Sequence, residues 1–207
     1  TTFGIIGSNG SGKSTQAKRL AQRLSAAGRA CWLTAEPSAG PAGKLLRAIF
    51  SHQYSADDRV IAALFVADRF DHILQAPDGI IAKQQSNSLV ISDRYYLSSY
   101  AYQGVHLGLE TVMRLNADCV ALCRPDLHLF IDTDPEICLQ RIAETRASLE
   151  LYETRENLLQ VQAQIHSSQL ALEMAQQAAL DSARSNADQL TARIHARVKQ
   201  VYGDKLG

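Results

Sequence analysis

The chain has 207 residues, 46% hydrophobic and 20% charged, which suits one globular domain with a sizeable core and excludes a disordered one. Lysine plus arginine equals aspartate plus glutamate at 21 each, so no global basic field exists to hold a nucleic-acid backbone, and a small anionic ligand in a locally positive site is expected instead. No segment has the long uncharged apolar run of a membrane span, and no secretory signal opens the sequence, which points to a cytoplasmic protein.

The first strand is predicted at Phe3 to Gly7 and runs into Gly7-Ser8-Asn9-Gly10-Ser11-Gly12-Lys13-Ser14-Thr15. That spacing, G-x-x-x-x-G-K-S between a strand and a helix, is the pattern of a phosphate-binding loop. A glycine-rich turn lets backbone N–H groups converge on phosphate oxygens, and the following helix adds the positive end of its dipole. Lys13 would reach the β and γ phosphates of a nucleoside triphosphate, and the Ser14 hydroxyl would ligate Mg²⁺.

A helix is predicted from Lys13 to about Ala27, with Ala17, Leu20, Ala21 and Leu24 on one face and Gly28 as its stop. Further strands are expected at Ala30 to Thr34, Leu89 to Ser92 and Leu127 to Asp132. A helix with Ser55 as N-cap should run from Ala56 to about Gln75, and others over 96–103 and 108–123. Pro135 marks the first turn of the next helix. Beyond Glu150, Leu, Ala, Gln and Glu dominate and propensity alone gives helix with no further strand. Strands alternating with helices argue for a parallel sheet covered on both faces. Cys31, Cys119, Cys123 and Cys138 show no C-x-x-C spacing and read as buried thiols in a reducing compartment rather than a metal site.

After Leu89-Val90-Ile91 comes Ser92-Asp93-Arg94-Tyr95-Tyr96-Leu97-Ser98-Ser99-Tyr100-Ala101-Tyr102-Gln103-Gly104. Asp93, at the carboxyl end of a buried parallel strand, lies at the edge where such sheets bind ligands. It is placed to hold Mg²⁺ through water, with Arg94 beside it to clamp a phosphate; a structural ion pair between the two is the other reading.

With these residues in order, the chain resembles the thymidylate kinases, of the bacterial type, among the P-loop nucleoside monophosphate kinases. Glu36-Pro37 with Gly40, Gly43 and Leu46-Arg47 looks like the family's E-P-G-G-x-x-x-G-x-x-I-R segment, and Leu64-Phe65-x-x-x-Arg69 like its L-F-x-x-x-R. Asp93 to Gly104 is close to D-R-Y-x-x-S-S-x-A-Y-Q-G, the most specific block. Arg124-Pro125-Asp126-Leu127 matches the strand after it, and Leu149-Glu150-Leu151-Tyr152-Glu153 the lid segment.

The resemblance implies one P-loop kinase domain over 1–207, a three-layer α/β fold with a five-stranded parallel sheet flanked by helices, and a short helical lid at about 142–156. It also implies a short last strand near Ala178 to Leu180. The reaction implied is transfer of the γ-phosphoryl group of MgATP to dTMP, giving dTDP and ADP. Gly7 to Thr15 would hold ATP, with Arg184 in an adenine-side loop. Phe65 would stack on thymine, Arg69 would donate to the base O4, and Gln103 would pair with the N3 edge. Tyr102 would lie under the deoxyribose, Arg47 and Arg94 would grip the monophosphate, and Asn9, Glu36, Pro37, Ser98 and Ser99 would complete the substrate site. Ser14 and Asp93 would hold Mg²⁺. The family also implies a homodimer, for which the stripe Val60, Ile61, Leu64 and Ile73 offers either an interface or plain core.

Three positions depart from the family pattern. Asn9 stands where an Asp or Glu is usual, which keeps a hydrogen bond but removes a negative charge near the sugar 3′-hydroxyl; Ala35 replaces an Arg before Glu-Pro; Leu151 replaces a lid arginine. Positions 8–11 hold no arginine either, leaving Arg141, Arg146 and Arg155. Arg146, just before the lid segment, is taken as the lid cation beside Lys13 and Arg94, and Arg141 is expected to face its own helix. Two other functions fit the motifs: a deoxynucleoside kinase using Glu36 as its base, or a nucleotide-binding paralogue left weak by these three departures.

Overall fold

The computed structural model describes residues 1–145, 149–167, 179–181, 194 and 196. In chain order the elements are β1 (Thr2–Ile6), α1 (Lys13–Ala26), β2 (Cys31–Ala35), α2 (Pro41–Phe50), α3 (Asp58–Leu74), α4 (Ile80–Gln85), β3 (Leu89–Asp93), α5 (Tyr96–Leu107), α6 (Leu109–Leu122), β4 (Leu127–Asp132), α7 (Pro135–Thr145), α8 (Arg155–Ser167) and β5 (Ala179–Asp181). The strands run in the order β2-β3-β1-β4, all parallel, and the three-residue β5 pairs alongside β4.

The period-2 alternation of strand side chains sorts the core into two layers. Phe3 and Ile5 of β1, Ile91 of β3 and Leu129 and Ile131 of β4 pack with Ala17, Leu20 and Leu24 of α1 and with Ile194 on one face. Ile6, Val90 and Phe130 meet α3, α5 and α6 on the other, where Ile61, Tyr96, Tyr100 and Val112 are buried. β1 is buried along its whole length, whereas β2 is only partly covered, as befits an edge strand.

Several boundaries differ from expectation. The N-cap of α3 is Asp57, not Ser55; its side chain accepts the Arg59 N–H at 2.9 Å. Helix α5 runs four residues past its predicted end at 103, to Leu107. In the predicted stripe on α3, Ile61 and Ile73 are fully buried core residues, while Val60 is 50% exposed. The lid is not simply helical: residues 149–154 are non-helical, with a turn at Leu151 and Tyr152 just before α8. β5 sits where propensity favours helix, because pairing with Phe130, Ile131 and Asp132 of β4 overrides local preference.

Cys119, Cys123 and Cys138 are buried free thiols, and burial pushes the Cys138 thiol up to about 11. Among the described residues no helix is long and apolar enough to cross a membrane.

His128 of β4 is buried against Tyr96, with Nε2 3.0 Å from the Tyr96 hydroxyl. Burial, aided by Arg124, pulls its pKa down to about 3. The unfolded chain therefore takes up a proton near pH 6.5 that the folded chain refuses, so stability falls as pH drops through that value towards 3, by at most about 1.4 kcal/mol per pH unit from this group. Urea unfolding at pH 7, 6, 5 and 4 should show a shallower decline for His128→Gln than for the parent; equal slopes would mean that His128 charges freely in the fold.

Candidate active site

Parallel pairing of Ile5 with Asp93 brings the chain leaving β1 beside the chain leaving β3 at the carboxyl edge of the sheet. The loop between β1 and α1 requires glycine twice. Gly10 has φ +79° and lies so close to Cys138 that an added Cβ would strike its carbonyl oxygen, and Gly12, the residue before α1, has φ +95°. Lys13 opens α1 and folds back, its Nζ donating to the Ser8 carbonyl at 2.6 Å.

The Ser14 hydroxyl donates to Asp93 Oδ2, while Asp93 Oδ1 is buried without a hydrogen-bond partner. One carboxylate with open lone pairs beside a hydroxyl is the sparse, all-oxygen donor set that suits Mg²⁺, a cation that draws its remaining ligands from phosphates and water.

A cavity of about 460 Å³ extends from this loop across the sheet edge. Its lining also includes Phe65, buried and 5.9 Å from the Phe50 ring, together with Ser98 and Gln103. Gln103 is 1% exposed, and its Oε1 and the Ser98 Oγ have no hydrogen-bond partner. An unsatisfied buried acceptor costs roughly 1–3 kcal/mol, so these atoms are prepared for a donor from a ligand.

Arg69 and Glu36 also line the cavity, each side chain 1% exposed. Arg69 Nε donates to Glu36 at 3.0 Å and Nη2 at 2.5 Å; Nη2 also donates to Ser99 Oγ at 3.1 Å, and Nη1 to Asn116 Oδ1. Burial pushes the Glu36 carboxyl up, but the guanidinium of Arg69 and the ring of His72 outweigh it and hold the pKa below the usual carboxylate range. For Arg69 burial works against the charge and Glu36 more than restores it. The pair is charged.

Arg94 leaves β3 in the left-handed region, φ +74°, which costs an ordinary residue roughly 1–2 kcal/mol and turns its side chain over the cavity. Its guanidinium lies 5.0 Å above the Tyr102 ring and donates to Asn9 Oδ1. The Tyr102 hydroxyl accepts the Asn9 backbone N–H at 2.9 Å, and Asn9 Nδ2 donates to Glu153 Oε1 at 2.9 Å.

The structure thus gathers Asn9, Gly10, Gly12, Lys13, Ser14, Thr15, Glu36, Pro37, Phe65, Arg69, Asp93, Arg94, Ser98, Tyr102 and Gln103 around one cavity. Arg47 is not among them. Its guanidinium donates to the carbonyls of Pro37 and Ser38, both at 2.6 Å, and faces a neighbouring depression that also reaches Ser14 and Asp93. Ser99 supports Arg69 rather than lining the space.

Arg141 does not face its own helix. It lines the cavity, with Nη1 donating to the carbonyls of Gly10 at 3.3 Å and Ser11 at 3.4 Å. Arg155 is held outside by an exposed ion pair with Glu136 at 2.6 Å. Arg146 and Arg184 lie outside the described residues. Sequence reasoning missed Phe50, Glu150 and Tyr152 as lining residues and Glu153 as a loop contact. For the last three the signal was present in the lid block Leu149 to Glu153, which carries both acids and an aromatic.

The family model described as thymidylate kinase matches residues 5–194. The chain is 35% identical over 204 residues to the thymidylate kinase of Xylella fastidiosa (strain 9a5c), covering 98% of this chain and 92% of that one. It is 34% identical over 205 residues to that of Xanthomonas oryzae pv. oryzae (strain PXO99A), covering 98% and 84%. To that of Solidesulfovibrio magneticus it is 40% identical over 146 residues, covering 69% and 68%. A phosphate loop facing Asp93 and Arg94, matched along almost the whole sequence in this way, means that the chain belongs to the thymidylate kinase family.

Proposed function

We propose that the chain, as a single three-layer P-loop kinase domain, transfers the γ-phosphoryl group of ATP to dTMP, giving dTDP and ADP. The observation that carries the reading is the cavity itself, whose single lining brings together Lys13 and Ser14 of the phosphate loop, Arg94, Phe65 and Gln103 with its unpartnered Oε1. Phe65 stacks on the base, and Gln103 Oε1 accepts the thymine N3–H. Four of the five guanidinium N–H groups of Arg69 are committed to Glu36, Asn116 and Ser99, which leaves one for the base O4. Arg94 holds the acceptor phosphate.

The acceptor is already a dianion near neutral pH, since its second pKa is about 6, so no general base is needed. A hydroxyl acceptor would need one, and Glu36, ion-paired and held below its ordinary pKa, is poorly suited to take a proton. That argues against a deoxynucleoside kinase. Mg²⁺, for which Ser14 and Asp93 have the fitting donors, would supply neutralisation of the negative charge on the phosphates. Lys13 meets the same charge from the loop, and Arg141, anchored over Gly10 and Ser11, is the arginine best placed to meet it from α7. A homodimer, if formed through α3, would use the exposed side at Val60, because Ile61 and Ile73 are spent in the core.

A coupled ADP-release assay across dTMP, dUMP, dCMP and thymidine tests the acceptor. Loss of the thymine methyl should cost dUMP about 10 to 200-fold in kcat/KM. Cytosine presents a lone pair to Gln103 Oε1 at N3 and should be rejected more strongly. Equal kcat/KM for dCMP and dTMP, or faster turnover of thymidine, would overturn the reading.

Lys13→Ala should abolish turnover and leave the melting temperature nearly unchanged, because its charge serves phosphates and not the core. Near-parental kcat would remove the phosphate loop from the mechanism.

Arg141→Ala should lower kcat by about 10³-fold or more with a smaller change in the KM for dTMP. Arg155→Ala should stay within a few-fold. If Arg141→Ala keeps its kcat while Arg146→Ala loses it, the transition-state cation is Arg146.

A further inference from the structure

Asn9 departs from the acid usual at its position, and its surroundings are built for an amide. On one side Asn9 Oδ1 accepts from the Arg94 guanidinium and, at 3.2 Å, from the Tyr102 hydroxyl. On the other side Asn9 Nδ2 donates to Glu153 Oε1 at 2.9 Å. Glu153 is 0% exposed, and its second oxygen accepts the Glu150 N–H at 2.9 Å. A cation on the oxygen side and a carboxylate on the nitrogen side fix the orientation of the amide without ambiguity.

We propose that Glu153 is a positioning residue for the phosphate loop and Arg94, and that it supplies from the lid segment the carboxylate that position 9 lacks. Asn9 relays that carboxylate: its one amide hydrogen bond to Glu153 holds the carbonyl oxygen on Arg94, the group that grips the acceptor phosphate on the function proposed above, on which this inference rests. The lid segment is itself docked, through the Leu151 N–H to the Phe50 carbonyl at 3.2 Å and the Tyr152 hydroxyl to Asp58 Oδ1 at 3.1 Å. Asn9 and Glu153 therefore join two walls of the cavity that no backbone ladder connects.

The polarity of the relay makes it testable. Asn9→Asp satisfies Arg94 but sets a second carboxylate at hydrogen-bond distance from Glu153, a buried like-charge contact. Glu153→Gln must point its own amide N–H at either the Glu150 N–H or Asn9 Nδ2, donor against donor. Combining them restores these hydrogen bonds: the aspartate accepts from Arg94 and from the Gln amide, whose oxygen accepts the Glu150 N–H. The parent and the double variant each hold one carboxylate in this pair, with its place exchanged, whereas the single variants hold two and none.

The experiment is the double-mutant cycle, parent, Asn9→Asp, Glu153→Gln and Asn9→Asp/Glu153→Gln, read as kcat and KM for dTMP and as melting temperature. Each single variant should lose about 10-fold or more in kcat/KM, Asn9→Asp mainly through the acceptor KM, because repulsion from Glu153 shifts the side chain at position 9 and carries Arg94 with it. The double variant should recover to within a few-fold of the parent, a coupling well above the additivity of independent sites. A double variant no better than the product of the singles overturns the proposal, as does an Asn9→Asp enzyme as active as the parent. Should the parent itself fail to turn over dTMP, it is the function that falls, and the pair is judged on melting temperature alone. There the same pattern, two losses and a recovery, supports it and strict additivity overturns it.

Discussion

Two opposite charges taken out of water, Glu36 and Arg69, set the terms for one side of this molecule. A buried ion left with an unfilled partner costs several kcal/mol, so the surrounding elements must arrive with hydrogen bonds in hand. They do: α5 brings Ser99, α6 brings Asn116, and α3 brings His72 beside Arg69. Asp68, the neighbour of Arg69, holds the chain after β2 by accepting the Ser38 N–H at 2.7 Å and its hydroxyl at 2.6 Å. Phe65 stands one helical turn before Arg69 on the same face, so fixing the guanidinium also fixes the ring that lines the cavity. The shape of the cavity around Phe65 thus follows from an electrostatic requirement as much as from apolar packing.

The other side depends on the sheet. Because β1 and β3 are parallel and in register at Ile5 and Asp93, the phosphate loop and the Asp93-Arg94 pair leave the same edge. The next residue must turn sharply from strand to helix α5, and Arg94 does so with a positive φ, its N–H bonded to the Ile5 carbonyl at 2.9 Å. Burial works against its charge, yet Tyr102 and Asp93 more than compensate and hold its pKa above the ordinary guanidinium value. A strained backbone and a desolvated cation are tolerated together where both aim one side chain at a ligand.

Much of this was legible in the sequence. The glycines of the loop, the buried runs Leu89 to Ile91 and Leu127 to Ile131, and the spacing from Asp93 to Gln103 are local patterns, and local patterns place local elements. What stayed hidden was set by contacts between distant segments. The α3 cap could not be chosen between Ser55 and Asp57 by residue type, since both accept hydrogen bonds; the geometry selects Asp57. Arg47 and Arg141 exchange their expected surroundings for a related reason: long flexible side chains follow the nearest carbonyls, at Pro37 and Ser38 for one and at Gly10 and Ser11 for the other. β5 was invisible to propensity because a three-residue edge strand takes its stability from the neighbour it pairs with.

The departures at Asn9 and Leu151 are then not independent. A lid segment that carries its own cation has to bring that charge to the phosphates, whereas here Leu151 packs against the core beside Phe50 and its N–H is tied to the Phe50 carbonyl. Docked in this way, the segment is suited to holding the loop through Glu153 and Asn9 rather than to delivering charge. A cation must then come from an element that already touches the loop. On the proposed reaction that element is α7, whose Arg141 is held on the carbonyls of Gly10 and Ser11, so that the substitution of leucine for the lid arginine and of an amide for the loop acid both follow from dividing two tasks between two elements: holding by the lid, and neutralising by α7.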